Sequence, residues 1–202
     1  MKKGTLKMNL PNKLTMFRIF LIPVFLILLA VPMDLGSIML AGTLIPIAQL
    51  LAAFVFIIAS LTDFADGQIA RRQHLVTNFG KFADPLADKM LVMTAFIMLV
   101  GSGNENVAAW IAAIIVCREL AVTGLRLIIV QNDGEVIAAA WSGKVKTFFE
   151  MITIIILLLN NVFFDNIDIP AGQICLYISL IAAVYSGIEY FYKNRKVFSD
   201  SF

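Results

Sequence analysis

The sequence predicts an all-α, polytopic integral membrane protein with six transmembrane helices, and three observations predict it. Of 202 residues, 60% are hydrophobic and only 15% are charged, where an average soluble domain has roughly 45–50% and 25%; mean hydropathy is +0.87. Six stretches stay apolar over the ~20 residues needed to cross a hydrocarbon core of ~30 Å. The sixteen Lys and Arg fall into four groups on one side of the resulting map. This composition excludes a disordered chain, an ordinary soluble globule and a nucleic-acid binder driven by basic charge. The net charge of +2 says little by itself.

The first span covers 14–33. Lysines precede it, as in a signal peptide, but 19–33 has no small-residue cleavage site and further spans follow, so it reads as a retained helix. The segment before Asn12 suits a short interfacial helix. The remaining spans cover 44–70, 80–100, 107–130, 145–160 and 170–192, and the second, third and fourth contain charges. Turn residues mark the connections at 32–36, 101–106, 132–134 and 160–170. No repeat or low-complexity tract divides the chain, so 1–202 reads as a single domain. Trp110, Trp141, Tyr177, Tyr190 and Tyr192 suit the membrane interface at span ends. Cys117 and Cys175 sit in separate apolar stretches and read as free thiols, and His74 as a solvated loop residue.

The basic residues set the orientation. Lys2, Lys3, Lys7, Lys13 and Arg18 lie at or near the start of the first span. Arg71, Arg72, Lys81 and Lys89 surround the second connection, Arg118, Arg126, Lys144 and Lys146 bracket the fourth, and Lys193, Arg195 and Lys196 form the tail. The other three connections hold only Asp34, Glu105, Asp165 and Asp168. By the positive-inside rule both termini and the even connections are cytoplasmic, and a cytoplasmic membrane fits the compact size.

At the cytoplasmic end of the second span stands Asp63-Phe-Ala-Asp66-Gly67-Gln-Ile-Ala70-Arg71, followed after eight residues by Gly80-Lys-Phe-Ala-Asp84-Pro-Leu-Ala-Asp88. At ~100° per residue Asp63, Asp66, Gly67 and Ala70 share one helix face, as do Asp84 and Asp88. Two antiparallel helices with a short connection can turn these faces together. Four carboxylates at a membrane surface repel, and charges inside a span are costly. An all-oxygen set suits hard divalent cations, two Mg²⁺ or Mn²⁺, which would neutralise it and clamp phosphate oxygens. The small residues Gly67, Ala70 and Gly80 leave room for a bulky ligand. A carboxylate-lined cation transporter is the other functional class, although its acids belong nearer mid-span.

The pattern D-x-x-D-G-x-x-A-R, eight residues, then G-x-x-x-D-x-x-x-D resembles the signature of the CDP-alcohol phosphatidyltransferases, and the six-span layout is similar over nearly the whole chain. The resemblance implies transfer of a phosphatidyl group from CDP-diacylglycerol to an alcohol with release of CMP. It implies that Asp63, Asp66 and Asp84 bind the metals. Asp88 would be the general base and would also touch a metal. Gly67, Ala70 and Arg71 would line the nucleotide site. Gly80 belongs to the same signature. Asn12 and Thr15, in Pro11-Asn12-Lys13-Leu14-Thr15, also resemble the family and suit polar contacts to the nucleotide, with helix capping by Asn12 as the alternative. A homodimer in the lipid bilayer is the implied assembly; no nucleic acid is involved.

The acceptor is read from the remaining cations. Arg118 and Arg126 are eight apart and share a face of the fourth span, and Lys144 and Lys146 follow Gly143. Such a group suits an acceptor that itself bears a phosphate, since guanidinium is the preferred bidentate phosphate partner. The alternative is charge that merely orients helices. Arg118 inside an apolar span needs a partner, and adjacent Glu119 would point ~100° away. Arg118-Glu119-Leu120, Thr123-Gly124-Leu125-Arg126 and Gly143-Lys144-Val145-Lys146-Thr147 resemble the glycerol-phosphate branch of the family. That implies sn-glycerol 3-phosphate as acceptor and phosphatidylglycerophosphate as product; inositol phosphate and phosphatidylglycerol are the other acceptors. Glu150 stands where the branch resemblance leads one to expect Gln.

Overall fold

The computed structural model describes the backbone of residues 10–73, 78–101, 107–131, 141–164 and 167–195, and the side chains of 13–62, 86–101, 107–129, 141–164 and 167–195. Among the described residues the chain forms six α-helices: α1 (Leu10–Ala30), α2 (Ile47–Gln73), α3 (Asn78–Leu99), α4 (Ala109–Gln131), α5 (Trp141–Leu158) and α6 (Ala171–Lys193). The expected spans and these helices agree within a few residues. The interfacial segment before Asn12 lies largely outside the described residues, and α1 is already helical at Leu10.

One difference is a short hairpin, β1 (Ser37–Leu40) and β2 (Thr43–Pro46), where the second span was expected to begin at 44. Ala41 (φ 48°) and Gly42 (φ 90°) both sit in the left-handed region, as a two-residue hairpin turn of this hand requires. Pro46, lacking an N–H, then hands the chain to α2 at the helix start, where that donor would have no partner.

The chain packs as two compact units. The first holds α1, α2 and α3 through Thr94; the second holds Met39–Ile45 and, from Ala95, the end of α3 with α4 to α6. In the first unit α1 and α2 run antiparallel. Phe25 meets Phe56 with ring centroids 6.1 Å apart, and Arg18 Nε donates to Ala59 O at 3.3 Å. The buried face of α1 is Thr15, Arg18, Ile22 and Phe25, and that of α2 is Ala52, Ala53, Phe56 and Ala59, each at helical spacing. Arg18 is therefore more than an orienting charge: it is fully buried against α2.

In the second unit α6 is central. Thr153 and Ser179 hydroxyls share a hydrogen bond of 3.0 Å, and Ser142 donates to Glu189, a register that makes α5 antiparallel to α6. Arg118 reaches Ala183 and Ser186, and Arg126 reaches Tyr190, so α4 runs parallel to α6. The buried face of α6 is largely small (Gly172, Ser179, Ala183, Ser186, Gly187), which lets neighbouring backbones come close. The α5–α6 connection is built by Asn160 and Asn161, both left-handed (φ 50° and 57°). Asn161 Nδ2 donates to Ile169 O at 2.7 Å, and its Oδ1 accepts from Gly172 N at 3.3 Å. Asn160 Nδ2 donates to Leu44 O at 3.3 Å.

Among the described residues two helices are long and apolar enough to cross a membrane, α1 over Lys13–Ala30 and α6 over Ala171–Lys193, and α2 adds a shorter apolar run, Ile47–Thr62. The outer face of α6 presents Ile174, Ile181, Tyr185, Ile188 and Tyr192 to the surroundings. A water-facing helix would put polar residues there, so this surface belongs against lipid. Helices α4 and α5 each contain three charges, and where those charges go defines the site.

Candidate active site

The helical backbone of α2 continues unbroken to Gln73 and places Asp63 and Asp66 one turn apart. That of α3 from Asn78 places Asp84 and Asp88 one turn apart. All four belong to the first unit. The side chains of Asn12, Asp63, Asp66, Gly67, Ala70, Arg71, Gly80 and Asp84 lie outside the described residues, and so does His74. Asp88 is partly buried on α3. Thr15 is fully buried on α1, one turn from Arg18. The antiparallel register set by Arg18–Ala59 and Phe25–Phe56 carries the backbone of Thr15 and Asn12 to the level of the Asp63–Asp66 segment.

The cations of the second unit are resolved in detail, and they do not form one uniform group. The α5–α6 register sets Lys146 near the height of Tyr185, and the α4–α6 register sets Arg118 at Ala183–Ser186, so both arrive at one level of the unit. Arg118 spends each guanidinium nitrogen on the protein. Nε donates to Ala183 O at 3.1 Å, Nη2 to Ser186 Oγ at 2.8 Å, and Nη1 to Glu119 Oε1 at 2.6 Å. The same Glu119 oxygen accepts from Lys146 Nζ, which also pairs with Glu150 Oε2 at 2.9 Å. Arg118, Glu119, Lys146 and Glu150 thus form one buried ladder of two cations and two anions.

The expectation that Glu119 points away from Arg118 is corrected by that 2.6 Å ion pair. Successive Cβ atoms do diverge by ~100° on a helix, but a guanidinium on three methylenes sweeps far enough to close the gap. Gly187 makes the sweep possible: a Cβ there would lie 3.1 Å from Arg118 Cγ. Glu119, Ser186 and Gly187 belong to this cluster by contact and were not assigned from the sequence. The one signal it offered was Arg118 itself, a guanidinium in an apolar helix that had to find acceptors.

Arg126 and Lys144 behave differently. Arg126 lies over the Tyr190 ring, with Cζ 6.0 Å from its centroid, a cation–π distance. Its Nε has no hydrogen-bond partner among the described residues, and neither has the Tyr190 hydroxyl. At ~1.5 Å per residue Arg126 lies about 12 Å along α4 from Arg118, closer to the end where α5 starts. Lys144 is exposed on the first turn of α5. Among the described residues no carboxylate is seen to pair with Arg126 or Lys144, while Arg118 and Lys146 are paired with Glu119 and Glu150.

The first unit thus carries two helix-borne Asp pairs, and the second carries the charge ladder with Arg126 and Lys144. A family model described as CDP-alcohol phosphatidyltransferase matches residues 8–185, and the chain belongs to that family. Its full-length relatives narrow the comparison. A protein of Bacillus subtilis (strain 168), named CDP-diacylglycerol–glycerol-3-phosphate 3-phosphatidyltransferase, is 47% identical over 193 residues, covering 96% of this chain and 98% of the relative. Proteins of the same name from Rickettsia felis (37% identical; 94% and 97% covered) and Haemophilus influenzae (33% identical; 92% and 92% covered) are similar over comparable lengths.

Proposed function

We propose that the protein transfers the phosphatidyl group of CDP-diacylglycerol to sn-glycerol 3-phosphate, giving phosphatidylglycerophosphate and CMP, as a single catalytic domain. The observation that carries this reading is similarity over more than nine-tenths of the chain to relatives that all bear the name of that activity. The site chemistry is consistent with it. Asp63, Asp66, Asp84 and Asp88 are an all-oxygen donor set on two helices with intact backbones, which fits two Mg²⁺ or Mn²⁺ ions. When bound, such ions supply positive charge to the diphosphate. Asp88, one turn beyond Asp84, takes the proton of the acceptor hydroxyl. Asn12, Thr15, Gly67, Ala70, Arg71 and Gly80 hold the nucleotide end of the donor. Arg126 and Lys144, with Arg118 and Lys146, hold the acceptor's phosphate. The chain spans the cytoplasmic membrane six times as a homodimer, with both termini and the site on the cytoplasmic side, where a soluble acceptor meets a lipid donor.

The test is an acceptor screen with purified protein and CDP-diacylglycerol. Phosphatidylglycerophosphate is expected with glycerol 3-phosphate, abolished by a chelator and restored by Mg²⁺ or Mn²⁺. CMP release only with inositol phosphate or phosphatidylglycerol would overturn the acceptor, and metal-independent turnover would overturn the carboxylate assignment. Reporters fused at Gly36 and at the C-terminus should read outside and inside respectively; the reverse pattern overturns the sidedness.

A further inference from the structure

The ladder on α4 and α5 contains one more carboxylate than is needed to hold its cations. Glu119 Oε1 already bridges Arg118 and Lys146, so one acid ties the two bases together. Glu150 then adds a second negative charge to Lys146 at 2.9 Å. It is the most buried member, 1% exposed, and its other oxygen, Oε1, has no hydrogen-bond partner among the described residues. Burying an ionised carboxylate with one oxygen unpartnered is costly. A neutral amide of the same shape could still accept from Lys146, so the charge of Glu150 has a consequence that packing does not require. That consequence is electrostatic: with Glu150 ionised the ladder sums to zero, and without it the ladder has a surplus of one positive charge buried beside Lys146.

We propose that Glu150 is a positioning residue that sets the affinity for the acceptor's phosphate by cancelling the charge of Lys146. This rests on the reading of Lys146 and Arg118 as the acceptor-phosphate side of the site. The phosphate is then drawn chiefly by Arg126 and Lys144, and the neutral ladder weakens its hold, so acceptor affinity is below what four basic residues could give.

The experiment uses the full chain and its Glu150→Gln variant, with initial rates at varied glycerol 3-phosphate and varied CDP-diacylglycerol. Gln keeps the shape and the acceptor oxygen while removing one charge, and KM for glycerol 3-phosphate should fall about tenfold, a partly screened charge–charge effect. The KM for CDP-diacylglycerol and kcat should stay within about twofold, the pattern of a change in ground-state binding alone. Glu150→Asp, which keeps the charge, should stay near the wild-type KM. An unchanged or raised acceptor KM in Glu150→Gln, or equal movement of both KM values, overturns the proposal. Should Glu150→Gln fail to fold, Glu119→Gln removes one charge from the same ladder and must lower the same KM. If the wild type makes no lipid from glycerol 3-phosphate, it is the proposed function that fails, and the variants are not needed to show it.

Discussion

Replacing Lys146 with Met isolates the energetics of the ladder. The Lys146 side chain is 6% exposed, and its partners Glu119 and Glu150 are 4% and 1% exposed. Removing the ammonium leaves two buried carboxylates, of which Glu119 keeps its bond from Arg118 and Glu150 loses its 2.9 Å partner. Breaking a buried ion pair from one side costs ~3–5 kcal/mol, which for a chain of this size lowers the unfolding midpoint by roughly 10 °C. Glu119 keeps its 2.6 Å bond from Arg118, so the loss falls mainly on Glu150. The double variant Lys146→Met with Glu150→Leu should therefore recover most of the stability, because both members of one pair are gone and Glu119 is still held. Thermal unfolding in detergent, followed by circular dichroism, reads both midpoints. A single variant as stable as wild type, or a double variant that loses the sum of the two single losses, would refute the ladder as a coupled unit.

Asp88→Asn should lower kcat by ~10²–10⁴, the usual worth of a general base, while CDP-diacylglycerol still binds; near-wild-type turnover would remove Asp88 from the proton transfer. Asn161→Ala should destabilise the α5–α6 connection by ~2–4 kcal/mol, since Ala tolerates the left-handed backbone poorly and two side-chain hydrogen bonds are lost. Asn161→Gly should recover only the backbone share, and equal melting of all three proteins would contradict this account.

The helices were legible because six long, largely apolar runs leave few other folds, and their ends fell within a few residues of the expected positions. The β1–β2 hairpin was not legible. Leu44, Ile45 and Pro46 read as the apolar start of α2, and only the Ala41–Gly42 turn chemistry marks them as strand. The carboxylate motif was visible as spacing on α2 and α3. The fate of the cations was only half visible. Lys146 and Glu150 stand at i,i+4, a pairing that sequence spacing does offer. Glu119 and Lys146 are 27 residues apart, and no local rule connects them. Arg18 was counted by its sign, although its burial against Ala59 depends on the α1–α2 register, which only tertiary packing fixes.

The sharing of one charge ladder among α4 and α5, with Ser186 and Ala183 of α6 as further acceptors, bears on how the chain enters the bilayer. On the six-span reading, α4 emerges from the ribosome with Arg118, Glu119 and Arg126 and without the groups that later complete the ladder. Charge at mid-span costs a few kcal/mol on insertion scales, and the Arg118–Glu119 pair gains its further partners only from α5 and α6, so on that reading α4 gains by waiting near the translocation channel until they arrive. A chain truncated after α4 should integrate that helix poorly, and one extended through α6 should integrate it well. On the six-span reading, insertion is then a matter of timing as much as of hydropathy, with the late helices rescuing an early one.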